Sequence, residues 1–331
     1  MMEINETNIK TWSEIGSRGA FGKAMLYLGD TRSDLVVVTA DLSDATRVTE
    51  FRNRFPEKFF NIGIAEQNMV GIASGLALAG KTVFATTFAA FAAMRCCEQL
   101  RTDMGYQKAN VKLVGADAGV VMGTLGNTHY AVEDISIVRA MPYVVILSPA
   151  DGLEIVKATL AAAEYNGPVY IRLTGARNNP IVYSEDYDFE IGKAVTIREG
   201  RDAALFATGA MVAKALSAAD ILKNKGVAAR VVDIHTIKPL DTEVIRKAVK
   251  ETGLVVTVEE HSILGGLGAA VAEVMAEEGN APRLVRMGLP DSFGPIGTYD
   301  EQLERYGLTD VNIADTVMKN LKRGHDYVIE R

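Results

Sequence analysis

The stretch NIGIAEQNMVGIASGLALAG, residues 61–80, places one glutamate between an apolar strand and an apolar helix. An ionised carboxylate in such surroundings is costly to desolvate unless another group compensates or uses it. Glu66 would lie in the first turn of the helix, where the helix dipole by itself favours an acid by less than about 1 kcal/mol. Because ligands of open α/β sheets bind beyond the carboxyl ends of strands, Glu66 is a candidate active-site residue.

Aromatic residues follow the next apolar run, in the segment FATTFAAFAAM. At helical spacing Phe88, Phe91 and Met94 share one face, and Phe84 precedes them. Such a face either packs into an ordinary core or forms a platform for a planar heterocycle. The residues alone leave both interpretations open.

A glycine-rich loop, GADAGVVMGTLGNTHYAVEDI, follows another apolar run and carries Asp117 and His129. Conformationally demanding loops at strand ends commonly bind ligands. His129 by itself could equally be a hydrogen-bonded structural histidine. The other histidines, His235, His261 and His325, lie in the second half of the chain, and they predict no metal cluster.

Three further features carry weaker signals. Arg18, in GSRGAFG, precedes a predicted helix and by itself indicates only a surface charge. The Gly-Leu-Gly at 266–268 is similar to part of a dinucleotide loop but lacks the third glycine. Cys96 and Cys97 are adjacent, which predicts buried, reduced thiols in a helix and suits a cytoplasmic protein.

Length and composition predict a soluble globular enzyme of two domains. The chain has 331 residues, 48% hydrophobic and 23% charged, with a formal net charge of −7 at pH 7. This acidic balance gives no indication of nucleic-acid binding. The amino terminus lacks the basic start and apolar core of an export signal. Gly75, Gly80 and Lys81 interrupt the most apolar region, so no membrane span is expected.

Short β-branched runs alternate with helix-length segments from Asp34 onward, which predicts an α/β fold. The strands of the first half are apolar on both faces, as in a parallel sheet covered by helices on each side. The predicted strands are 35–42, 59–65, 82–87, 111–117, 143–149, 169–173, 203–209, 227–237, 254–260 and 283–288. The predicted helices are 66–79, 88–104, 133–140, 151–165, 210–225, 241–252 and 267–278. The predicted organisation is a first domain at 10–178, a linker at 179–192 and a smaller α/β domain at 193–325.

Several of these segments, in this order, resemble one family. The segments NIGIAEQNMVGIASGLALAG, ATTFAAF and the loop ending in THY are similar to the pyrimidine-binding domain of transketolases, and EEHSILGGLGAAV and TIKPLD are similar to their carboxy-terminal domain. The chain most resembles the carboxy-terminal subunit of split transketolases, in which two polypeptides form the enzyme. The resemblance implies a parallel-sheet pyrimidine-binding domain followed by a smaller α/β domain.

The resemblance gives Glu66 a use. In transketolases the matching glutamate hydrogen-bonds N1′ of the aminopyrimidine of thiamine diphosphate, the cofactor that carries the C–C chemistry of ketol transfer. A low-dielectric pocket would keep Glu66 protonated or sharing a proton with N1′. His129 matches a histidine that contacts oxygens of the donor sugar, so Glu66 and His129 are the implied catalytic pair.

The same resemblance implies the other cofactor contacts and a partner. Phe91 would stack on the pyrimidine, Phe88 would line its pocket, and Asp41 and Ile64 would lie near the cofactor. The family holds the diphosphate and magnesium with a motif that begins G-D-G, and this chain contains no G-D-G. We therefore expect no metal ligand here and expect an amino-terminal, diphosphate-binding subunit to complete the site in an α2β2 assembly.

The sugar pocket departs from the family pattern. Arg18 matches an arginine that binds the substrate phosphate, but Gly175 stands where a second arginine is usual. Asp117 and Leu125 replace a histidine and an aspartate. Because Asp117 would repel a terminal phosphate, we expect ketol transfer with a non-standard sugar.

Two other classes of function compete with this interpretation. One is a subunit of a related thiamine enzyme, either 1-deoxyxylulose-5-phosphate synthase-like or similar to the beta subunit of 2-oxoacid dehydrogenases. The other is a non-catalytic regulatory paralogue whose pocket has decayed, against which the joint presence of Glu66, Phe88, Phe91 and His129 argues. Nicotinamide binding through the Gly-Leu-Gly at 266–268 has the least support.

Overall fold

The computed structural model describes residues 2–326, with side chains given as far as residue 321. Within that range twelve β-strands form two sheets. The strands are β1 Leu35–Thr39, β2 Phe59–Asn61, β3 Thr82–Phe88, β4 Val111–Ala116, β5 Val145–Leu147, β6 Val169–Arg172, β7 Val195–Arg198, β8 Ala203–Ala207, β9 Ala229–Asp233, β10 Thr236–Lys238, β11 Leu254–Ser262 and β12 Arg283–Leu289.

The first sheet has seven strands in the order β10-β5-β6-β4-β3-β1-β2. Strands β1 to β6 pair in parallel, and β10 adds one antiparallel edge. Every residue of β1, β3, β4 and β6 is buried, as expected for a sheet covered on both faces. The parallel pairing brings the carboxyl ends of β1 to β4 to one edge of the sheet, where the site residues follow.

The second sheet has five strands in the order β12-β11-β8-β9-β7, with β7 antiparallel to β9 and the rest parallel. The predicted α/β fold, with a larger parallel sheet followed by a smaller one, is therefore confirmed. The helices are α1 Glu6–Thr31, α2 Thr49–Arg54, α3 Glu66–Leu78, α4 Cys97–Gln99, α5 Asp134–Arg139, α6 Gly152–Glu164, α7 Met211–Asn224, α8 Thr242–Glu251, α9 Leu267–Glu277, α10 Tyr299–Arg305 and α11 Asp310–Asp326.

The two faces of the first sheet have separate cores. On one face Phe21 of α1 and Phe84 of β3 belong to one buried cluster. On the other face Met69 of α3 belongs to a cluster that also contains Phe206 and Leu267 from the second half of the chain. Full burial of a side chain of this size stabilises the fold by about 1.5–3 kcal/mol. The two halves therefore share one hydrophobic core.

Three predicted elements are corrected by the structure. The helix predicted at 88–104 begins later, because β3 continues to Phe88. Its helical part consists of the π-helical turns Phe91–Arg95 and Leu100–Tyr106 joined by α4. The strand predicted at 227–237 is two strands, of which the second, β10, joins the first sheet. Arg18 lies inside α1, two residues after a kink at Gly16, rather than before a helix.

None of the helices within residues 2–326 combines the length and apolarity that crossing a membrane requires.

Candidate functional site

The residues before Glu66 form a tight turn beyond β1 and β2. The side-chain oxygen of Asn61 accepts hydrogen bonds from the backbone N–H groups of Asp41 and Gly63, each at 3.0 Å. The Asn61 amide donates to Asp41 Oδ1 at 2.8 Å. Gly63 has a φ of +81°, a backbone angle that residues other than glycine rarely adopt. This turn lets α3 begin at Glu66, just past the carboxyl ends of the parallel strands.

Glu66 is buried and is compensated by an arginine. Its side chain is 2% exposed, and Arg95 Nη1 donates to Glu66 Oε1 at 2.8 Å. The same guanidinium lies over the Phe91 ring, with Cζ 4.0 Å from the ring centroid. One half-exposed arginine therefore contacts two of the residues that the resemblance assigns to the pyrimidine, Glu66 and Phe91.

Arg95, which contacts Glu66, and Asn61, which holds the turn before it, are residues to which the sequence analysis assigned no role. A signal for Arg95 was present, because it is the single charge in the run FAAFAAMRCC. The π-helical turn Phe91–Arg95 brings Arg95 to Glu66. A π-helical turn is wider than an α-helical turn and is frequent at functional sites. Of the neighbouring cysteines, both free, Cys96 is buried and Cys97 half-buried.

Phe88, Phe91 and His129 form an aromatic cluster beside Glu66. The ring centroids of Phe88 and Phe91 are 5.9 Å apart, and His129 lies edge-on at 6.1 Å from Phe88 and 5.5 Å from Phe91. Phe84, expected in the same group, instead packs at 6.3 Å against Phe21, within the buried cluster that α1 shares with β3. Phe84 lies in the middle of β3 and Phe88 is its last residue, so the two do not belong to the single helical stripe that the sequence suggested.

Arg18 and Asp117 meet at the same edge of the sheet. Arg18 Nη1 lies 3.0 Å from Asp117 Oδ2 and donates to the carbonyl oxygen of Ala45 at 2.9 Å. Arg18 Nη1 and Asp117 Oδ2 form an ion pair without hydrogen-bond geometry, so Asp117 Oδ2 is buried without a hydrogen bond from the described residues. Burial raises the pKa of Asp117, and the nearby positive charges of Arg18 and Arg47 lower it in part. Asp117 has a φ of +53°.

A cleft of about 420 Å³ is lined by Gly19, next to Arg18 in the sequence, and carries charges of both signs. Lys23, Arg47 and Arg177 line it together with Asp44 and Glu50. The positive side chains make it suitable for an anionic group, and the acids limit how much negative charge it favours.

Two predicted cofactor residues lie outside the group formed by Glu66 and the aromatic cluster. Ile64 is 80% exposed, and Asp41 is exposed apart from its hydrogen bonds to Asn61. Within residues 2–321 no group of three or more His, Cys, Asp or Glu side chains is placed to hold a metal ion. Of the predicted site residues, Glu66, Phe88, Phe91 and His129 are thus the ones that the edge of the sheet brings together.

This arrangement fits an aminopyrimidine ring. A buried carboxylate can accept a hydrogen bond from, or share a proton with, a ring nitrogen. Flanking aromatic rings offer faces for a planar heterocycle. The side chains of Glu66, Phe88 and Phe91 are therefore chemically consistent with the cofactor that the resemblance implies.

Comparison with protein families and known proteins places the chain. Residues 13–178 match the model of the transketolase pyrimidine-binding domain, and residues 192–313 match that of the transketolase carboxy-terminal domain. A putative transketolase carboxy-terminal section of Methanocaldococcus jannaschii is 45% identical over 93% of this chain and 97% of its own length. A 6-deoxy-6-sulfo-D-fructose transketolase subunit of Clostridium sp. strain MSTE9 is 42% identical over 88% of this chain and 90% of its own.

A solved structure gives the same result. The structure of a split gene transketolase, an inactive beta4 tetramer, superimposes with a TM-score of 0.83 and 44% identity, covering 93% of this chain and 98% of that one. The chain belongs to the transketolase family and corresponds to the carboxy-terminal subunit of its split members.

Proposed function

We propose that this chain is the pyrimidine-binding subunit of a two-chain thiamine diphosphate enzyme that transfers a two-carbon ketol unit from a ketose to an aldose. The observation that carries the proposal is the burial of Glu66 beside Phe88, Phe91 and His129 at the carboxyl edge of a parallel sheet. Family membership supports it. Glu66 and His129 are the residues proposed to act on cofactor and donor sugar.

Thiamine diphosphate, when bound, supplies the carbon nucleophile that breaks and remakes the bond beside a ketose carbonyl. Glu66 would hold a proton at N1′ of the pyrimidine, and Phe91 and Phe88 would fix the plane of the ring. Because Arg95 donates to Oε1, Oε2 is the oxygen proposed to meet N1′. His129 would donate a hydrogen bond to a donor oxygen.

The proposed enzyme needs a second chain for the diphosphate and Mg²⁺. The absence of G-D-G from the full sequence supports this requirement. Ile64, two residues before Glu66, is 80% exposed, and Met94, next to Arg95, is 44% exposed. Apolar side chains exposed around a buried acid are typical of a surface that another chain covers. The related beta4 tetramer is described as inactive, which agrees with a site that one chain does not complete.

The proposed donor is a sugar whose far end carries one negative charge or none. Asp117 offsets part of the charge of Arg18, so a phosphate with nearly two negative charges meets a weaker field than Arg18 alone would give. A sulfonate carries only one charge, and the related Clostridium subunit is named for a sulfonated fructose. Asp117 Oδ2 is buried without a hydrogen bond from the described residues, and the proposal assigns it a sugar hydroxyl as donor.

The first test is reconstitution with a G-D-G subunit. We expect ketol transfer and thiamine diphosphate binding by the pair, both lost in Glu66→Ala and kept in Glu98→Ala, whose carboxylate is exposed and paired with Arg101. Calorimetry measures binding independently of turnover. Full turnover by this chain without a partner would contradict the two-chain site. Unchanged cofactor binding in Glu66→Ala would contradict the role of Glu66.

The second test compares donors. With the reconstituted pair, we expect a sulfonated or uncharged ketose to exceed the phosphorylated one in kcat/KM, and Asp117→Asn to shift the preference toward phosphate by about tenfold. Asp220→Asn is the matched control, because Asp220 pairs with Arg198 on the surface of the second domain. Preference for xylulose 5-phosphate in the unmodified pair would overturn the proposed substrate class.

A further inference from the structure

The glycine-rich loop that carries His129 lies against the second half of the chain. A Cβ atom added to Gly119 would come 2.3 Å from Glu260 Oε1. A Cβ on Gly123 would come 2.5 Å from the carbonyl oxygen of Gly297, and one on Gly126 would come 2.4 Å from Ile296 Cγ2. Real Cβ atoms do not approach other atoms so closely. All three glycines therefore provide room for residues of the second domain.

Hydrogen bonds join the same two parts. Glu260 Oε1 accepts from the backbone N–H of Val120 at 2.7 Å, and Glu260 Oε2 accepts from the Tyr299 hydroxyl at 2.8 Å. Asn127 Nδ2 donates to the carbonyl oxygen of Gly294 at 2.8 Å. The contacts thus hold the loop near its start, through Glu260, and near His129, through Asn127.

The contact between Gly126 and Ile296 is linked to His129 by a backbone hydrogen bond. The backbone N–H of His129 donates to the carbonyl oxygen of Gly126 at 2.9 Å. Gly126 has a φ of +72° and lies against Ile296. The outer residues Thr124 and Leu125 are exposed, so the tip of the loop contributes little packing of its own.

We propose that Glu260 and Ile296 of the second domain are positioning residues for the loop at 117–130, and that the second domain thereby sets how tightly His129 holds the donor sugar. Neither residue would touch the substrate. The kinetic part of this inference rests on the function proposed above, whereas the structural part does not.

Amide hydrogen exchange of the full chain, alone and with its partner, tests the structural part. We expect Glu260→Ala and Ile296→Ala to speed exchange at 119–130 by about tenfold or more, because local opening becomes easier. Glu260→Gln should restore slow exchange, since its amide oxygen still accepts from Val120. Ile296 is 64% exposed, so its substitution leaves the fold intact.

A pair of glycine variants separates a local effect on the loop from the general cost of alanine at positive φ. Gly126→Ala and Gly226→Ala both place alanine at positive φ, +72° and +79°, but nothing lies within 4 Å of a Cβ added to Gly226. We expect only Gly126→Ala to loosen the loop at 119–130. Equal, unchanged exchange of this loop in Glu260→Ala, Ile296→Ala and Gly126→Ala would overturn the inference.

Kinetics of the reconstituted pair test the consequence. We expect Ile296→Ala to raise the donor KM about fivefold or more while thiamine diphosphate affinity stays unchanged. An unchanged donor KM despite a loosened loop would overturn the role in donor binding. If the unmodified pair shows no ketol transfer but the exchange differences remain, the function proposed above fails and the positioning contact stands.

Discussion

The buried carboxylates of Glu66 and Glu259 differ in the hydrogen-bond donors that compensate them. Glu66, at the edge of the first sheet, is 2% exposed and is bonded by Arg95, a side chain that is itself 46% exposed. Glu259, in the second domain, accepts from the backbone N–H groups of Leu267 and Gly268 at 2.6 and 2.7 Å. Backbone donors in the first turn of a helix are fixed, whereas a half-exposed arginine can be exchanged for another donor.

The difference separates a structural acid, Glu259, from the acid that we propose acts on the cofactor, Glu66. The N–H groups that a phosphate would use at the start of α9 already donate to Glu259, so the Gly-Leu-Gly at 266–268 is an internal cap rather than a dinucleotide loop. The acid whose compensation is replaceable is the one beside the aromatic cluster. Substitutions at Glu66, Arg95, Glu259 and Glu260 test this comparison.

The largest expected effect is on activity. In the reconstituted pair, Glu66→Gln should lower kcat by about 10²–10⁴-fold, since glutamine cannot exchange a proton with N1′. Glu259→Gln should leave kcat nearly unchanged, because its backbone partners lie away from the site. Steady-state ketol transfer measures both, and a similar loss in the two variants would remove the distinction.

The pH dependence of stability should come from the second-domain acids. Burial raises the pKa of Glu259 and Glu260 to about 7 in each case. The folded chain then keeps protons that the unfolded chain releases above its ordinary glutamate pKa, so the free energy of unfolding falls between about pH 4.5 and 7. Each carboxyl contributes on the order of 3 kcal/mol across this window.

Denaturant titrations of the chain from pH 4.5 to 8 measure that slope. The double variant Glu259→Gln, Glu260→Gln should flatten it. A slope that persists in the double variant would assign the effect to other groups, such as Asp233, whose pKa burial also raises to about 7.

Removing the second-domain cap should destabilise more than removing the arginine. Glu259→Leu leaves two backbone N–H groups buried without an acceptor, and we expect a loss of about 2 kcal/mol in the free energy of unfolding. Glu273→Leu is a control, because Glu273 lies on the same helix and is 65% exposed. Equal losses in both variants would show that the cap contributes nothing special.

The smallest expected effect is at Arg95. Arg95→Met removes the partner of Glu66 and should lower the free energy of unfolding by about 1 kcal/mol, less than a fully buried pair would lose because Arg95 is half exposed. In a Glu66→Gln background the same substitution should cost less. A double-mutant cycle by denaturant titration measures this coupling, and a coupling of zero would mean that Arg95 does not compensate Glu66.

The sequence predicted the fold and most members of the site because periodicity and motif order are local properties. Alternating β-branched and helical segments indicated the parallel sheet, and the confirmed family resemblance identified Glu66, Phe88, Phe91 and His129 before their distances were known. The roles of these residues, and the domain boundaries at 178, 192 and 193, stay predictions. Local patterns missed the end of β3 at Phe88 and the crossing of β10 to the first sheet, since pairing partners decide both.

By itself, the sequence determined the α/β class, the family and the presence of a glutamate that requires compensation. Only the tertiary structure decided that Arg95 compensates it and that the glycines at 119, 123 and 126 make room for the second domain. The reason is that burial cost belongs to a residue and its neighbours in sequence, whereas a compensating partner is brought into contact by packing between distant segments.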